Sequence, residues 1–239
     1  MKFLDLTFDD PASNLACDEA LLELFEIEPR ADSLLRVWEP TDHFVVLGRA
    51  NRLHAEVNLS ACKTDGISIL RRASGGGAVV QGPGCLNYSL ILNNSACRLR
   101  TIEDAFHYVL EGHRRVIEKL AGVEARIDGI SDLTISGRKF SGNAQYRKTR
   151  FVLVHGTFLL DFELPLIERY LRMPAKQPGY RRDRPHLEFV ANLNIASRAV
   201  CDSLRHGWCA HEVLLHVPFA QIETVTKERY RQEAWSMKF

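Results

Sequence analysis

One short segment limits the folds open to this chain more than any other part of its sequence. The apolar run Ile67–Leu70 leads directly into Arg71-Arg72-Ala73-Ser74-Gly75-Gly76-Gly77, and a second apolar stretch follows. Glycine adopts positive φ angles without steric cost, so three in a row predict a tight loop between strands. We predict a strand over 67–72, then the glycine loop, and an antiparallel neighbour of that strand over 86–92.

The two arginines give this loop a second interpretation beside that of a plain turn. Alternate strand residues face opposite sides, so one guanidinium can point to the loop mouth while the other reaches solvent; Arg72 lies nearer the loop. Bare backbone N–H groups beside a fixed positive charge can bind a carboxylate or phosphate. No Gly-Lys-Ser/Thr follows, and no G-x-G-x-x-G opens a helix, which disfavours a kinase or a dehydrogenase.

Apolar spacing and turn residues divide the rest of the chain into strands in hairpin order with helices between them. One helix is predicted from Pro11 to about Glu28-Pro29, and a longer one from a Thr101–Asp104 cap to Gly122. The other predictions are strands at 34–38, 44–47, 133–135, 139–146 and 151–160, helices at 165–173, 197–204 and 219–236, and a basic loop at 175–184. This order predicts an α+β fold with a mixed β-sheet flanked by helices.

Composition narrows the classes of protein further. The 239 residues are 46% hydrophobic and contain no low-complexity linker, so we expect a single domain over residues 1–239. A formal net charge of +1 gives no general attraction to nucleic acid, and no apolar run approaches the roughly 20 residues of a membrane span. Carboxylates near the start argue against a signal peptide, so we expect a cytoplasmic protein with no nucleic-acid or membrane partner. The six cysteines include no C-x-x-C pair, so the sequence suggests neither a zinc site nor a disulfide framework.

Three segments, in order along the chain, resemble a known family. Residues 71–79 resemble the R-R-x-S-G-G-G-A-V signature of lipoate-protein ligases, in the biotin/lipoate protein ligase superfamily. Residues 14–22 resemble the N-terminal helix of that family, and residues 136–145 resemble its G-[RK]-K-[IV]-S-G-[SN]-A segment. Partial matches at 38–40, 46–49 and 155–160 extend the likeness from about residue 1 to Leu193.

The resemblance implies a catalytic domain that uses ATP and Mg²⁺ and is related to class II aminoacyl-tRNA synthetase cores. Lipoate or octanoate would attack the α-phosphorus of ATP, and the acyl-adenylate would pass its acyl group to a lysine of a lipoyl-acceptor domain protein. Lys139 would be the catalytic residue, although a lysine taken alone is more often a solvated surface group. The implied substrate-binding residues are Arg72, Ser74, Gly75, Gly76, Gly77, Ala78, Asn87, Gly142, Ala144, His155 and Gly156.

The resemblance also implies a nucleotide site. Its expected residues are Val80, Gln81, Asp132 and Asn192, with Asp132 also placed near the magnesium ion. From the residues alone, Asp132 is equally typical of a solvated carboxylate at a strand start, and Asn87 of a strand-end cap. Many members carry His-Asp shortly after the glycine loop, where this chain has Gln81-Gly82.

The length after Leu193 leaves the adenylation step open. Roughly 45 residues remain, which are too few for the C-terminal accessory domain that large ligases of the family carry. The chain would therefore adenylate unaided, depend on a separate accessory subunit, or only transfer an acyl group.

The last alternative corresponds to the octanoyltransferases of the superfamily. These enzymes use no ATP and take the acyl group from an acyl carrier protein as a thioester on cysteine, which requires a partly exposed, activated thiol. Residues 125–130, where some of them carry that cysteine, contain none here. Cys85 is the remaining candidate, although it is also typical of a packed strand residue. A non-catalytic lipoate-binding protein is a further interpretation, which Lys139 beside an intact glycine loop disfavours.

Overall fold

The computed structural model of the protein describes residues 1–28 and 32–239. Its strands are β1 (Lys2–Asp5), β2 (Leu34–Trp38), β3 (Phe44–Leu47), β4 (Ser68–Arg71), β5 (Val79–Gln81), β6 (Cys85–Asn93), β7 (Arg126–Asp128), β8 (Asp132–Ile135), β9 (Arg138–Arg147), β10 (Phe151–Leu159) and β11 (Glu212–Val213). Its α-helices are α1 (Pro11–Ile27), α2 (Leu53–Glu56), α3 (Leu59–Asp65), α4 (Ile102–Ala121), α5 (Pro165–Tyr170), α6 (His186–Phe189), α7 (Ser197–Gly207), α8 (Phe219–Val225) and α9 (Glu233–Ser236).

The larger of two sheets has eight strands in the order β11-β1-β2-β6-β10-β9-β8-β7. Strand β1 pairs in parallel with β11 and β2, and the remaining pairs of this sheet are antiparallel. The sheet is therefore mixed, and the predicted fold class is confirmed. None of the helices in residues 1–28 and 32–239 is long and apolar enough to cross a membrane.

Helices cover both faces of the large sheet because its central strands are apolar on both sides. Leu35, Leu90 and Val152 pack in one hydrophobic cluster with α4 and α7, whereas Leu34 and Ile91 pack in another with α1. Successive strand residues point to opposite faces, which explains this division. The central strands consequently read as nearly continuous apolar runs.

Helices α1 and α4 begin where the sequence predicted. Asp10 accepts a hydrogen bond from the Ala12 amide at the start of α1, and Thr101 with Asp104 forms a capping box at the start of α4. Gly122 ends α4 in the left-handed conformation. Helix α1 ends at Ile27 with Glu28 as its C-cap, and the predicted end at Pro29 lies outside the described residues.

The predicted partner of the strand before the glycine loop is wrong. Strand β4 pairs in parallel with β3, in a separate three-stranded sheet of order β4-β3-β5, whereas β6 lies in the large sheet between β2 and β10. The glycine loop therefore connects β4 to β5, a three-residue strand that sequence analysis did not predict. The apolar runs of β4 and β6 could each pair with several other strands, and only the packing of the whole domain selects the partners.

Candidate active site

Two adjoining cavities flank the glycine loop, with volumes of about 160 and 230 Å³. The first cavity is bounded by the glycine loop, α1, β9 and β10, and the second by the glycine loop, α5 and the loop that follows α5. Their common wall consists of Gly77, Ala78, Val79, Gln81, Asp132, Lys139, Gly142 and Thr157. The glycine and lysine segments, more than 60 residues apart in sequence, thus meet at one place.

Arg72 organises the glycine loop from the inside. Its Nη2 donates to the carbonyl oxygens of Gly75 at 2.6 Å and Gly77 at 2.9 Å, and its Nε donates to Ser74 Oγ at 3.1 Å. Burial lowers the pKa of Arg72 to about 10, so the guanidinium stays charged at neutral pH. The side chain lines the first cavity, but its hydrogen bonds go chiefly to the loop itself.

The loop leaves backbone donors free. Within a trans peptide unit the C=O and N–H point in opposite directions, so the amides of Gly76 and Ala78 point away from Arg72. Among the described residues, no acceptor pairs with the N–H groups of residues 75–78. Gly76 has φ +88°, and a Cβ there would lie 2.7 Å from Arg72 Nη2, so this position requires glycine. Added Cβ atoms at Gly75 and Gly77 would meet nothing within 4 Å.

The prediction that one of the two arginines reaches solvent is wrong. Arg71 is fully buried and donates to the carbonyl oxygens of Gly48 at 2.9 Å and Asn51 at 2.8 Å. It also donates to the carbonyls of Trp235 and Lys238, because α9 packs across the end of β4. Arg71 is therefore a structural residue behind the loop.

Lys139 is the second residue of β9 in the β8–β9 hairpin, which turns through Ser136 and Gly137, both with positive φ. Its Nζ lies 2.7 Å from Asp132 Oδ1, and the side chain keeps 27% exposure. An added Cβ at Gly142 would lie 2.6 Å from this Nζ, so the glycine makes room for the ammonium group. The amine consequently faces both cavities from their common wall.

A closed set of side-chain hydrogen bonds links Gln81 and Thr157 of the common wall to Asn87. Gln81 Nε2 donates to Thr157 Oγ1 at 2.7 Å, Thr157 Oγ1 donates to Asn87 Oδ1 at 2.6 Å, and Asn87 Nδ2 donates to Gln81 Oε1 at 3.0 Å. Asn87 lines only the first cavity and Val80 only the second. Gln81, which stands where many family members carry histidine, belongs to both.

Sequence analysis missed a buried polar cluster that borders the first cavity. Asp18 on α1 pairs with Arg36 at 2.6 Å, accepts from Ser89 Oγ at 2.7 Å, and lies 3.6 Å from His155 Nδ1. Nε2 of His155 lies 2.6 Å from Ser74 Oγ. Burial alone would raise the pKa of Asp18, but Arg36, His155 and Ser89 hold it below its ordinary value. Asp18 and Arg36 are charged residues within otherwise apolar helix and strand segments, and this feature of the sequence could have revealed the cluster.

Some residues of the predicted site lie outside the two cavities. Ser74 and Gly75 do not line either cavity, although Ser74 contacts His155, which does. Asn192 exchanges two hydrogen bonds with the backbone of Phe162, at 2.9 and 3.2 Å, and lines neither cavity. Gly76, Ala144 and Gly156 line the first cavity.

The described residues do not form a magnesium site of their own. Oδ1 of Asp132 pairs with Lys139, and Oδ2 accepts a hydrogen bond from Tyr180 at 2.7 Å. Within residues 1–28 and 32–239, no three His, Cys, Asp or Glu side chains come together as a metal site. We therefore derive no step through Mg²⁺.

Residues 10–200 match the family model described as the lipoyl protein ligase A/B catalytic domain. The chain therefore belongs to this family, and the resemblance predicted from its motifs is confirmed. Membership of this family makes the chain an enzyme, in agreement with the sequence analysis.

Named relatives include both ligases and transferases. Lipoate-protein ligase LplJ of Bacillus subtilis is 28% identical over 99% of this chain and 73% of its own length. A Mycoplasma pneumoniae protein named "Probable lipoate-protein ligase A" is 37% identical over 68% of this chain, which spans 46% of that relative. Octanoyltransferase LipM of Geobacillus kaustophilus is 24% identical over 99% of this chain and 98% of its own length.

Solved structures agree with the fold. One is described as a bi-partite lipoate protein ligase and its E2 lipoyl domain from Thermoplasma acidophilum; it has a TM-score of 0.84 and 24% identity, covering 99% of this chain and 96% of that one. Another, a lipoate-protein ligase A bound with ATP, also has a TM-score of 0.84, at 23% identity over 99% of this chain and 98% of that one.

Proposed function

We propose that this protein is a lipoate-protein ligase that activates lipoate or octanoate with ATP and transfers the acyl group to a lysine of a lipoyl domain. The observation that carries the proposal is the place of Lys139, whose ammonium stands between two cavities beside a loop with free amides. One cavity would hold the acid and the other the nucleotide. An amine that touches both is required for the reaction but not for simple binding.

In the first step, a carboxylate oxygen of the acid attacks the α-phosphorus of ATP, and pyrophosphate leaves. Both reactants are anions, so positive charge at the meeting point lowers their repulsion. The compact ammonium of Lys139 can contact an acyl oxygen and an α-phosphate oxygen together. The free amides of Gly76 and Ala78 add neutral donors on the other side.

In the second step, the neutral amine of the acceptor lysine attacks the acyl carbonyl carbon, the bond to phosphate breaks, AMP leaves, and the nitrogen loses a proton to the departing phosphate or to water. Negative charge develops on the carbonyl oxygen and then on the departing phosphate. Lys139 is positioned to stabilise both charges without moving far, because Asp132 holds its amine and Gly142 leaves it space.

An octanoyltransferase is the second candidate, and the end-to-end match with octanoyltransferase LipM favours it. The environment of the thiols disfavours this candidate. Cys85 is fully buried, and among the described residues no cysteine lines either cavity. Burial raises the pKa of Cys85, so a thiolate is disfavoured there. A transferase built on this site would have to work without a cysteine nucleophile.

The adenylation step is the one that a second chain would assist. This protein matches 96% of the resolved chain of a ligase described as bi-partite, which supports a proposal that a separate accessory subunit assists here as well. Transfer from a preformed lipoyl-adenylate would not depend on such a subunit.

The test follows the mass of an apo lipoyl domain in three mixtures with the purified protein. The first contains lipoate and ATP with Mg²⁺, the second octanoyl carrier protein without ATP, and the third synthetic lipoyl-adenylate. Modification in the first supports the ligase, and modification in the third alone supports a ligase that lacks its accessory subunit. Modification in the second alone would replace the ligase by the transferase, and none in any mixture would overturn both.

A further inference from the structure

We propose that Tyr180 is a positioning residue that aligns Lys139 through Asp132 and makes this alignment depend on the loop that closes the second cavity. This inference rests on the proposed function, because it assigns a role relative to Lys139. The loop concerned, residues 174–185, is named the Tyr180 loop here. Its contribution to the second cavity comes from Pro174, Lys176, Pro178 and Arg181.

The three side chains form a continuous relay. The Tyr180 hydroxyl donates to Asp132 Oδ2 at 2.7 Å, and Asp132 Oδ1 pairs with Lys139 Nζ at 2.7 Å. Both carboxylate oxygens are thus held from opposite sides, so the carboxylate cannot rotate without losing one partner. A group fixed in this way fixes the ammonium that it binds.

The hydroxyl is suited to remain a donor throughout the reaction. Burial, together with the negative charge of Asp132, raises the pKa of Tyr180 above its ordinary value. The tyrosine ring is packed against Phe189, with ring centroids 5.3 Å apart, and against Gly129, where an added Cβ would lie 3.4 Å from it. The side chain is therefore fixed by its ring as well as by its hydrogen bond.

The Tyr180 loop, which includes one short 3₁₀ turn over Gly179–Arg181, is also held in place by contacts with the lysine hairpin. Nη1 of Arg184 donates to the carbonyl oxygen of Gly137 at 3.0 Å, and Arg138 donates to that of Leu187 at 2.9 Å. Arg182 and Asp183 are consecutive non-glycine residues with φ of 52° and 56°. Residues other than glycine rarely adopt this conformation, and Arg184 helps to maintain it by donating to the carbonyl oxygens of Tyr180 and Arg181, at 3.0 Å each. Opening the loop would release Asp132 at the same time as it exposes the second cavity.

The experiment compares Tyr180→Phe with Tyr170→Phe. Tyr180→Phe keeps the ring and loses only the hydroxyl. The matched control, Tyr170→Phe, also loses one hydrogen bond from a tyrosine to an aspartate, which is the 3.0 Å bond to Asp65, and Tyr170 lines neither cavity. We expect Tyr180→Phe to lower kcat for transfer from lipoyl-adenylate about 10- to 100-fold with an unchanged dissociation constant for lipoate. Tyr170→Phe is expected to match the wild type in both kcat and the dissociation constant for lipoate. Equal kcat in all three proteins would overturn the inference.

A double-mutant cycle tests whether Tyr180 acts through Asp132. In the background of Asp132→Asn, replacing Tyr180 by Phe should change kcat less than twofold. A full additional loss would show that the tyrosine acts elsewhere. If Lys139→Ala keeps wild-type activity, the proposed function fails; if Lys139→Ala is inactive and Tyr180→Phe is normal, only the present inference fails.

Cleavage by trypsin provides a readout that needs no turnover. Lys176, Arg181 and Arg182 offer cleavage sites inside the Tyr180 loop. We expect the loop of Tyr180→Phe to be cut several times faster than that of the wild type or of Tyr170→Phe. Equal cleavage rates would contradict a role of the hydroxyl in holding the loop, even in a preparation without activity.

Discussion

Nζ of Lys139 lies 2.7 Å from Oδ1 of Asp132, in the wall that separates the two cavities of the site. The pairing holds the ammonium group of Lys139 at this wall. It also leaves the remaining hydrogens of the amine free for anions that enter from either side. The first prediction tests this arrangement.

Replacing Lys139 by Ala should lower kcat/KM for lipoylation by about 100- to 1000-fold, the usual cost of losing one preorganised donor. Lys139→Arg should not restore activity, because a planar fork cannot replace a compact charge in the space left by Gly142. Acceptor modification followed by mass spectrometry measures the rates. The control is Lys148→Ala, which removes a lysine paired with Glu23 outside both cavities. Activity of Lys139→Ala within tenfold of the wild type would contradict a catalytic role.

The three glycines of the loop should differ in their tolerance of a side chain. Gly76→Ala places a residue at φ +88° and a Cβ 2.7 Å from Arg72, so it should lower the free energy of unfolding by about 1–3 kcal/mol. Gly75→Ala and Gly77→Ala, which meet open space, should stay within about 0.5 kcal/mol of the wild type. Urea denaturation provides the comparison. Equal losses at all three positions would refute the role assigned to the conformation of Gly76.

The buried pair of Asp18 and Arg36 should make folding stability depend on pH in the acid range. The pKa of Asp18 is held below its ordinary value of 3.8, since Arg36 and its other partners outweigh the effect of burial. A lowered folded-state pKa adds stability that is complete above the unfolded value and is lost as the pH falls through the folded one. Urea unfolding measured from pH 7 down to pH 2 should therefore show a decline that Asp18→Asn reduces.

At neutral pH, the same Asp18→Asn substitution should cost about 3–5 kcal/mol, because Arg36 would remain charged and buried without its partner. The matched control is Asp202→Asn, which breaks an exposed pair with Arg198 and should change stability by less than about 1 kcal/mol. If both variants lose the same small amount, the buried pair does not carry the stability assigned to it.

Cys85 should be dispensable for acyl transfer. Its thiol is buried, its pKa is raised by that burial, and it lines neither cavity. We expect Cys85→Ser to keep at least half of the transfer rate, and iodoacetamide to label the exposed Cys209 in the native protein while leaving Cys85 unmodified. Loss of octanoyl transfer in the correctly folded Cys85→Ser variant would restore the thioester mechanism.

The sequence predicted those features that depend on neighbouring residues. The helix start at Pro11, the Thr101 cap, the helix end at Gly122 and the turn before Lys139 were all readable, because each involves groups a few residues apart. The family motifs also identified the segments that meet at the cavities. Their meeting could be expected from the resemblance, but no local pattern required it.

The sequence by itself thus determined the starts of α1 and α4, the end of α4, the lysine hairpin and the glycine-rich connection between strands. Only the tertiary structure decided that β4 pairs with β3, that Arg71 is buried beneath α9, and that Asp18 reaches His155. The physical reason is that capping and turn formation are settled by contacts within a few residues. Strand pairing and the burial of charge depend instead on which distant surfaces pack together, and many apolar strands compete for those places on nearly equal terms.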